Sequence, residues 1–512
     1  MKFPIDKRWR PMAFPLLAVG IIAVDDTVLD LALPSISRDL GASTEELQWA
    51  INAYVLAFAG PLVASGTLAD RLGHKRMLLI GSALFGLASF AASLASSTAM
   101  LIGLRAAQGL AGAILLPATL ALLRATFPAA HERTVAIGVW SALFSVGAML
   151  GPLVGGALLE AYGWRSVFLI NVPIALLTFA GTALFARESR APESAAIPYQ
   201  GLLIAVAAVV TLVYAITAAG ARGFSGLVIA TVAASALLFA GLVVQQRRSP
   251  DPLLPPGLLK NRSFTGASSA MAITVFALMG SLFFLSQYLQ SVLGFSPLAA
   301  GLLMLPLALL EAAGALTTAR IISRLGVKMT LGGSLATSAV GLAVLALGIA
   351  PDPGVWALLI GGGLLSSALG VAFTTATDSI LGTLPVSRAG IGSALDETLQ
   401  HFGAALGVAV LGAVANLIYR HGVHAAVSDG LLSPTLAGKA EGSVQGALVA
   451  AETLPHGDAD AVVAAAAQSF CDGMLTAMWV GAAILFAVAA LALWLVPTHV
   501  VETEASPPRR EP

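Results

Sequence analysis

Long apolar stretches separated by short turns constrain this chain more than any other feature. A helix needs about 20 mostly apolar residues to cross the hydrocarbon of a bilayer. Fourteen stretches meet that length: 12–33, 49–69, 77–96, 99–123, 135–159, 166–186, 200–219, 225–245, 264–290, 298–318, 329–349, 355–379, 391–419 and 474–496. Backbone groups inside lipid must bond internally, so the predicted class is an all-α membrane protein. Only 11% of the residues are charged and 57% are hydrophobic. That balance excludes a disordered chain, a nucleic-acid binder and an ordinary soluble enzyme. The basic N-terminus imitates a secretory signal, but Asp25, Asp26 and Asp30 interrupt its apolar end, so it reads as a retained first helix.

The basic residues set the expected topology. With the N-terminus cytoplasmic, 21 of the 27 Lys and Arg fall in inside segments and 5 in outside segments; Arg105 lies within a span. Positive charge is retained inside, and an even span count puts both termini there. The turn Asp70-Arg71-Leu72-Gly73-His74-Lys75 returns 253 residues later as Ser323-Arg324-Leu325-Gly326-Val327-Lys328. This places two related six-helix halves at 1–190 and 263–512, with two inserted spans in 191–262. Paired halves around a central cavity are a transporter architecture. The long outer loop 421–473 is rich in Ala and acids; a short helical hairpin and a solvated spacer both remain open for it.

Ionisable groups inside spans are costly and mark candidate sites. Span 1 carries Asp25, Asp26 and Asp30. Asp26 and Asp30 share a helix face, and Asp25 is turned about 100° away from Asp26. Span 4 carries Arg105 and Gln108, and a span 1 carboxylate is the natural partner of the arginine. Glu311 in span 10 lies roughly 20 Å from the outer start of its helix, at 1.5 Å per residue. A carboxyl desolvated at that depth resists ionisation, as a proton-coupling or cation-binding group requires; a hydrated funnel position is the alternative. Span 13 carries the adjacent Asp396 and Glu397, with His401 one turn on as a relay or a packing residue. Asp378 at the inner end of span 12 reads as interfacial. This net negative interior favours cations or protons over anions. Tyr54, Phe58, Phe283, Phe284 and Tyr288 are aromatic candidates for holding an organic cation, or packing residues at helical spacing.

Several motifs carry a family resemblance over essentially the whole chain. Gly66-Thr67-Leu68-Ala69-Asp70-Arg71-Leu72-Gly73-His74-Lys75-Arg76 resembles the loop 2–3 motif of the major facilitator superfamily. The resemblance implies that Gly66, Asp70, Arg71, Gly73, Lys75 and Arg76 form a gating loop whose Asp and Arg latch helix ends. Leu101-Ile102-Gly103-Leu104-Arg105-Ala106-Ala107-Gln108-Gly109 resembles the family's span 4 motif, whose Arg is linked to proton coupling. Gly147-Ala148-Met149-Leu150-Gly151-Pro152-Leu153-Val154-Gly155-Gly156 is similar to the exporter motif. Its glycines allow close helix approach, and Pro152 bends the helix. Asp25 through Pro34 is similar to the span 1 signature of the fourteen-span drug/proton antiporters, with Asp30 where the family commonly has Asn. Glu311 and the Asp396-Glu397 pair fall where quaternary-ammonium exporters carry acids. Some of those exporters have a span 2 acid where this chain has Asn52.

The resemblance implies proton-coupled efflux of lipophilic organic cations such as quaternary ammonium compounds and dyes. Asp25, Asp26, Glu311, Asp396 and Glu397 are the expected coupling or cation-binding groups, supported by Arg105, Gln108, Asp30 and His401. A dedicated antibiotic or metabolite exporter is the nearest alternative; a non-transporting receptor is remote. No enzyme activity, metal or cofactor is expected, because no nucleophile–base pair, zinc spacing or P-loop is present and Cys471 stands alone. The expected setting is a bacterial plasma membrane, with protons, cationic drugs and the bilayer as partners, no nucleic acid, and a monomer as the working unit.

Overall fold

The computed structural model describes residues 9–40, 44–189, 199–222, 225–249, 258–295, 297–350, 355–384, 389–427, 440–441 and 444–496. Helix is the only regular structure among these residues. The first half comprises α1 (Trp9–Leu40), α2 (Thr44–Ala59), α3 (Leu62–Leu72), α4 (His74–Ser93), α5 (Thr98–Thr126), α6 (Ala130–Tyr162), α7 (Arg165–Leu169) and α8 (Asn171–Phe185). Then come α9 (Tyr199–Arg222) and α10 (Gly226–Arg248), which pack on each other. The second half comprises α11 (Arg262–Gln287), α12 (Pro297–Leu347), α13 (Gly363–Gly382), α14 (Ala389–Val427), α15 (Val444–Ala451) and α16 (His456–Leu495).

Among the described residues, eleven helices are long and apolar enough to span a membrane, or twelve with one bent pair. The chain is therefore a multi-pass membrane protein. The bent pair lies at the expected span 49–69. Its two parts meet at 50°, because the break carries Gly60 and Pro61, and Pro61 has no N–H to continue the ladder. α12 is 51 residues, about 77 Å at 1.5 Å per residue, far longer than one crossing needs. Gly326 breaks it with φ 75° and ψ 164°. Gly73, 253 positions earlier, separates α3 from α4 with φ 105° and ψ 136°. The two turns matched in sequence thus share the left-handed φ that glycine accommodates. A division of α12 at Gly326 is compatible with fourteen crossings.

Ser97 accepts a hydrogen bond from the Met100 N–H to start α5, and Asn261 accepts from Ser263 and Phe264 to start α11. Beyond the apolar core of span 13, α14 continues to Val427, while α16 begins at His456. Much of the predicted outer loop is therefore helical, with α15 packed on α16 and the Tyr419 hydroxyl donating to the Ala440 carbonyl.

Between the halves, α6 packs on α12 and α13, and α3 and α5 pack on α14. Small residues permit these approaches: a Cβ on Gly138 would meet the Ala315 carbonyl, and one on Gly66 the Gly390 carbonyl. α9 reaches α2, α3 and α14, with Val206 and Val210 against Gly60 at the bend. α10 is mostly exposed, as suits a helix facing lipid.

Candidate functional site

The interior polar groups form two sets along this seam. The first is held within the first half. Arg105 of α5 donates through Nη1 to Asp25 of α1 at 2.7 Å, and the side chains are 3% and 1% exposed. Asn171, at the start of α8, donates to the other Asp25 oxygen at 2.7 Å. Arg105 also reaches Gln108 Oε1 at 3.2 Å, and Gln108 donates to Ser89 Oγ on α4 at 2.8 Å. The guanidinium lies 4.1 Å from the Tyr54 ring centroid. Five helices thus converge on one caged ion pair, the span 1 partner expected for Arg105. Asn171 and Ser89 were not singled out in the sequence; each is an uncharged polar residue in an apolar run, a weak signal.

Asp26 is turned about 100° from Asp25, as adjacent helix positions require. It is exposed and lies within electrostatic reach of Tyr54 and of Glu397. The side chains of Asp30, Asn52 and Pro152 lie outside the described residues.

The second set comes from α12 and α14. Asp396 and Glu397 are buried at 0% and 2% exposure. Asp396 accepts from Thr377 Oγ1 of α13 at 3.1 Å and from Gln400 Nε2 at 3.0 Å. Glu397 Oε1 is buried without a hydrogen-bond partner. His401, one turn beyond, sets its ring against Phe58 of α2 with centroids 4.9 Å apart. Phe58 in turn stacks on Tyr54 at 5.8 Å, linking the second-half acids to the first-half cage. Glu311 of α12 accepts a 2.8 Å hydrogen bond from Ser145 Oγ of α6. Among the described residues, Glu311, Asp396 and Glu397 form no ion pair.

The remaining aromatics sit apart from this path. Phe283 is exposed, Phe284 packs toward Phe470 of α16 at 6.3 Å, and Tyr288 donates to the Ala350 carbonyl at 2.6 Å.

The exporter-like glycines do form a seam. A Cβ on Gly147 would meet Gly20 and Ala23, one on Gly151 would meet Thr27, and one on Gly155 would meet Val28, all on α1. Thr27 Oγ1 donates across to the Ala148 carbonyl at 3.0 Å. Gly156 is a correction: nothing lies within 4 Å of its Cβ position, so it takes no part in the close approach. The second half has a matching seam that was missed: Gly403 and Gly407 of α14 abut the carbonyls of Ala272 and Phe276 on α11. Their four-residue spacing was the available signal.

At the end of the bundle bearing the basic turns, two latches join the halves. Asp70 accepts from the N–H groups of Gly390 at 2.7 Å and Ile391 at 3.1 Å, where a helix N-terminus favours a carboxylate. His74 Nε2 lies 3.1 Å from the same carboxylate. Lys75 Nζ donates to the Ala183 and Ala186 carbonyls at 2.8 Å each, at the end of α8. Arg71 is exposed, and Arg76 lies 3.9 Å from Glu188. The second latch corrects the interfacial reading of Asp378. That residue is buried, with Arg133 Nε at 2.6 Å and Thr134 Oγ1 at 2.7 Å, both from α6. Arg124 adds a hydrogen bond to the Leu384 carbonyl.

A caged ion pair, an acid set on the seam and two latches thus lie in one bundle. Residues 16–408 match the model of the Major Facilitator Superfamily. The chain is 35% identical to the "Multidrug efflux pump LfrA" of Mycolicibacterium smegmatis, with 95% of each chain covered. It is 33% identical to the "Tetracenomycin C resistance and export protein" of Streptomyces glaucescens, covering 98% of this chain and 94% of the relative. It is 32% identical to the "Methyl viologen resistance protein SmvA" of Salmonella typhimurium, covering 91% and 93%. The human organic anion transporter MFSD10 shares the fold at a TM-score of 0.59 and 16% identity, covering 96% of this chain and 100% of that one. The chain belongs to the Major Facilitator Superfamily, and its relatives include multidrug efflux pumps and antibiotic exporters.

Proposed function

We propose that this protein is a proton-driven exporter of lipophilic organic cations in a bacterial plasma membrane, working as a monomer with both termini cytoplasmic. One observation carries the reading. Among the described residues, Glu311, Asp396 and Glu397 are carboxyls on the seam between the halves with no basic side chain paired to them, while Arg105 is committed to Asp25. Ionisable groups in that setting are sites for protons or cationic cargo. The net negative interior and the aromatic pair Tyr54 and Phe58 suit a flat organic cation. The relative named for methyl viologen resistance supports this class, because methyl viologen is a planar dication.

In this reading the latched end is cytoplasmic, and the structure is closed toward the cytosol. Opening requires Asp70 to leave the start of α14 and Asp378 to leave Arg133. Cargo then enters and displaces protons from the acids, the halves rock, and outside protons release it. Moving one charge costs or gains about 2.3 kcal/mol per 100 mV, so several acids permit more protons than cargo charges per cycle.

The test is substrate-dependent proton movement in proteoliposomes, with E311Q, D396N and E397Q made singly. Each variant is expected to lose coupled proton flux; unchanged cation efflux and proton counterflow in all three would overturn the reading. A second reading rests on the relatives named for tetracenomycin C and puromycin: a dedicated antibiotic exporter of the same fold. A substrate panel separates the two, since a dedicated exporter moves protons for one compound only.

A further inference from the structure

At the basic end of the first half, beside the Asp70 latch, a cavity of about 1060 Å³ opens between the first turn of α1 and the last turns of α3, α5 and α8. It is lined by the side chains of Arg10, Arg76 and Arg187, all exposed, over the buried apolar residues Met12 and Leu122. Its acid, Glu188, is already occupied: one oxygen accepts the N–H groups of Lys75 and Ser189 at 3.1 Å each. The other lies 3.9 Å from Arg76. Lys75 covers the carbonyls at the end of α8, removing part of that helix's negative pole from the cavity. The lining thus carries a net positive charge with an engaged counter-ion.

The cavity also has an apolar exit. Phe185, 53% exposed at its edge, stacks on Phe14 of α1 with centroids 5.4 Å apart and planes at 8°. Leu184 and Leu17, on the same two helices, are exposed as well. A free phosphate uses only the arginines. A ligand with an anionic head and hydrocarbon chains uses the arginines and the strip together, and a bilayer supplies such a ligand.

We propose that this cavity is a binding site for the phosphate head of an anionic phospholipid, with the acyl chains leaving along the Phe14–Phe185 strip. It is separate from the acid set on the seam and independent of what the protein exports.

The test is native mass spectrometry of the full-length protein released from bilayers of equal phosphatidylglycerol and phosphatidylcholine. Wild-type protein is expected to retain phosphatidylglycerol preferentially. R10Q and R187Q are each expected to lower that preference about fivefold, from about 1 kcal/mol per basic residue. R247Q removes an exposed charge on α10 and should leave it unchanged. The charge-preserving pair R10K/R187K should retain it, which separates loss of charge from loss of folding. Equal retention of the two lipids by the wild type, or an unchanged ratio in both glutamine variants, would overturn the proposal. Displacement of the bound lipid by millimolar inorganic phosphate would assign the cavity to a soluble anion and overturn it too.

Discussion

Asp25 in the first half and the Asp396–Glu397 pair in the second are buried in opposite ways. In the first half Asp25 has a guanidinium and an amide on its two oxygens. In the second half Asp396 has only a hydroxyl and an amide, and Glu397 has a buried oxygen with nothing. The same side-chain chemistry is paired with a cation in one place and left without one in the other. The comparison gives different costs for removing charge on each side.

The largest expected effect comes from breaking the cage. Arg105→Met leaves Asp25 buried without its cation, and such a loss costs about 3–5 kcal/mol. Thermal unfolding in detergent should show a large drop in Tm, partly recovered when Asp25→Asn is added. In contrast, Glu397→Gln removes a carboxyl that has no cation to orphan, so its Tm should stay level or rise. A Tm loss for Glu397→Gln as large as for Arg105→Met would end the distinction.

The latches sharpen it. Asp378→Asn strands the buried Arg133, again about 3–5 kcal/mol. Asp70→Asn keeps an oxygen for one of the two N–H groups on α14 and loses mainly the charge at a helix start, about 0.3–1 kcal/mol. Both should raise the labelling of a cysteine introduced at the basic end, with Asp378→Asn the more destabilised. Equal Tm values would mean that the two latches carry equal charge burial.

The seams come next. Gly407→Ala drives a Cβ into the Phe276 carbonyl, a backbone atom that cannot swing away, at about 1–3 kcal/mol. Gly151→Ala meets the Thr27 hydroxyl, which can rotate, so it should cost less. Gly156→Ala meets nothing and should gain up to about 1 kcal/mol of helix propensity. Thermal unfolding of the three variants should rank in that order.

Features written in local chemistry were legible in sequence. Apolar run length gave the membrane class, and the repeated basic turn located two left-handed glycines 253 residues apart. An arginine deep in an apolar run required an acid, and Asp25 is that acid for Arg105. What failed depends on distant packing. Asp378 looked interfacial because it sits near a helix end, yet an α6 arginine covers it there. Gly403 and Gly407 carried a spacing but no charge or Pro to draw notice. Gly156 shared a motif with its neighbours but not their helix face, since one residue is a turn of about 100°. The acid set was visible as residues; that its members lack cationic partners is a fact of the assembled seam.

The smallest expected effect lies at the other end of the first half. Asp39 accepts from the Trp164 indole at 2.8 Å and from Arg165 Nη1 at 2.5 Å. Those two hydrogen bonds, Trp164 first, hold its carboxyl below the usual value of 3.8. A depressed native value means that the contribution is fully present above 3.8 and is lost as pH falls through the lower native value. Asp39 is exposed, and salt screens charges beyond about 10 Å at 0.1 M, so the effect is small. The Tm difference between wild type and Asp39→Asn should therefore hold constant from neutral pH down to about 5 and shrink only in stronger acid. A difference that already collapses between pH 7 and 5 would show that the Trp164 and Arg165 hydrogen bonds do not hold the carboxyl below its usual value.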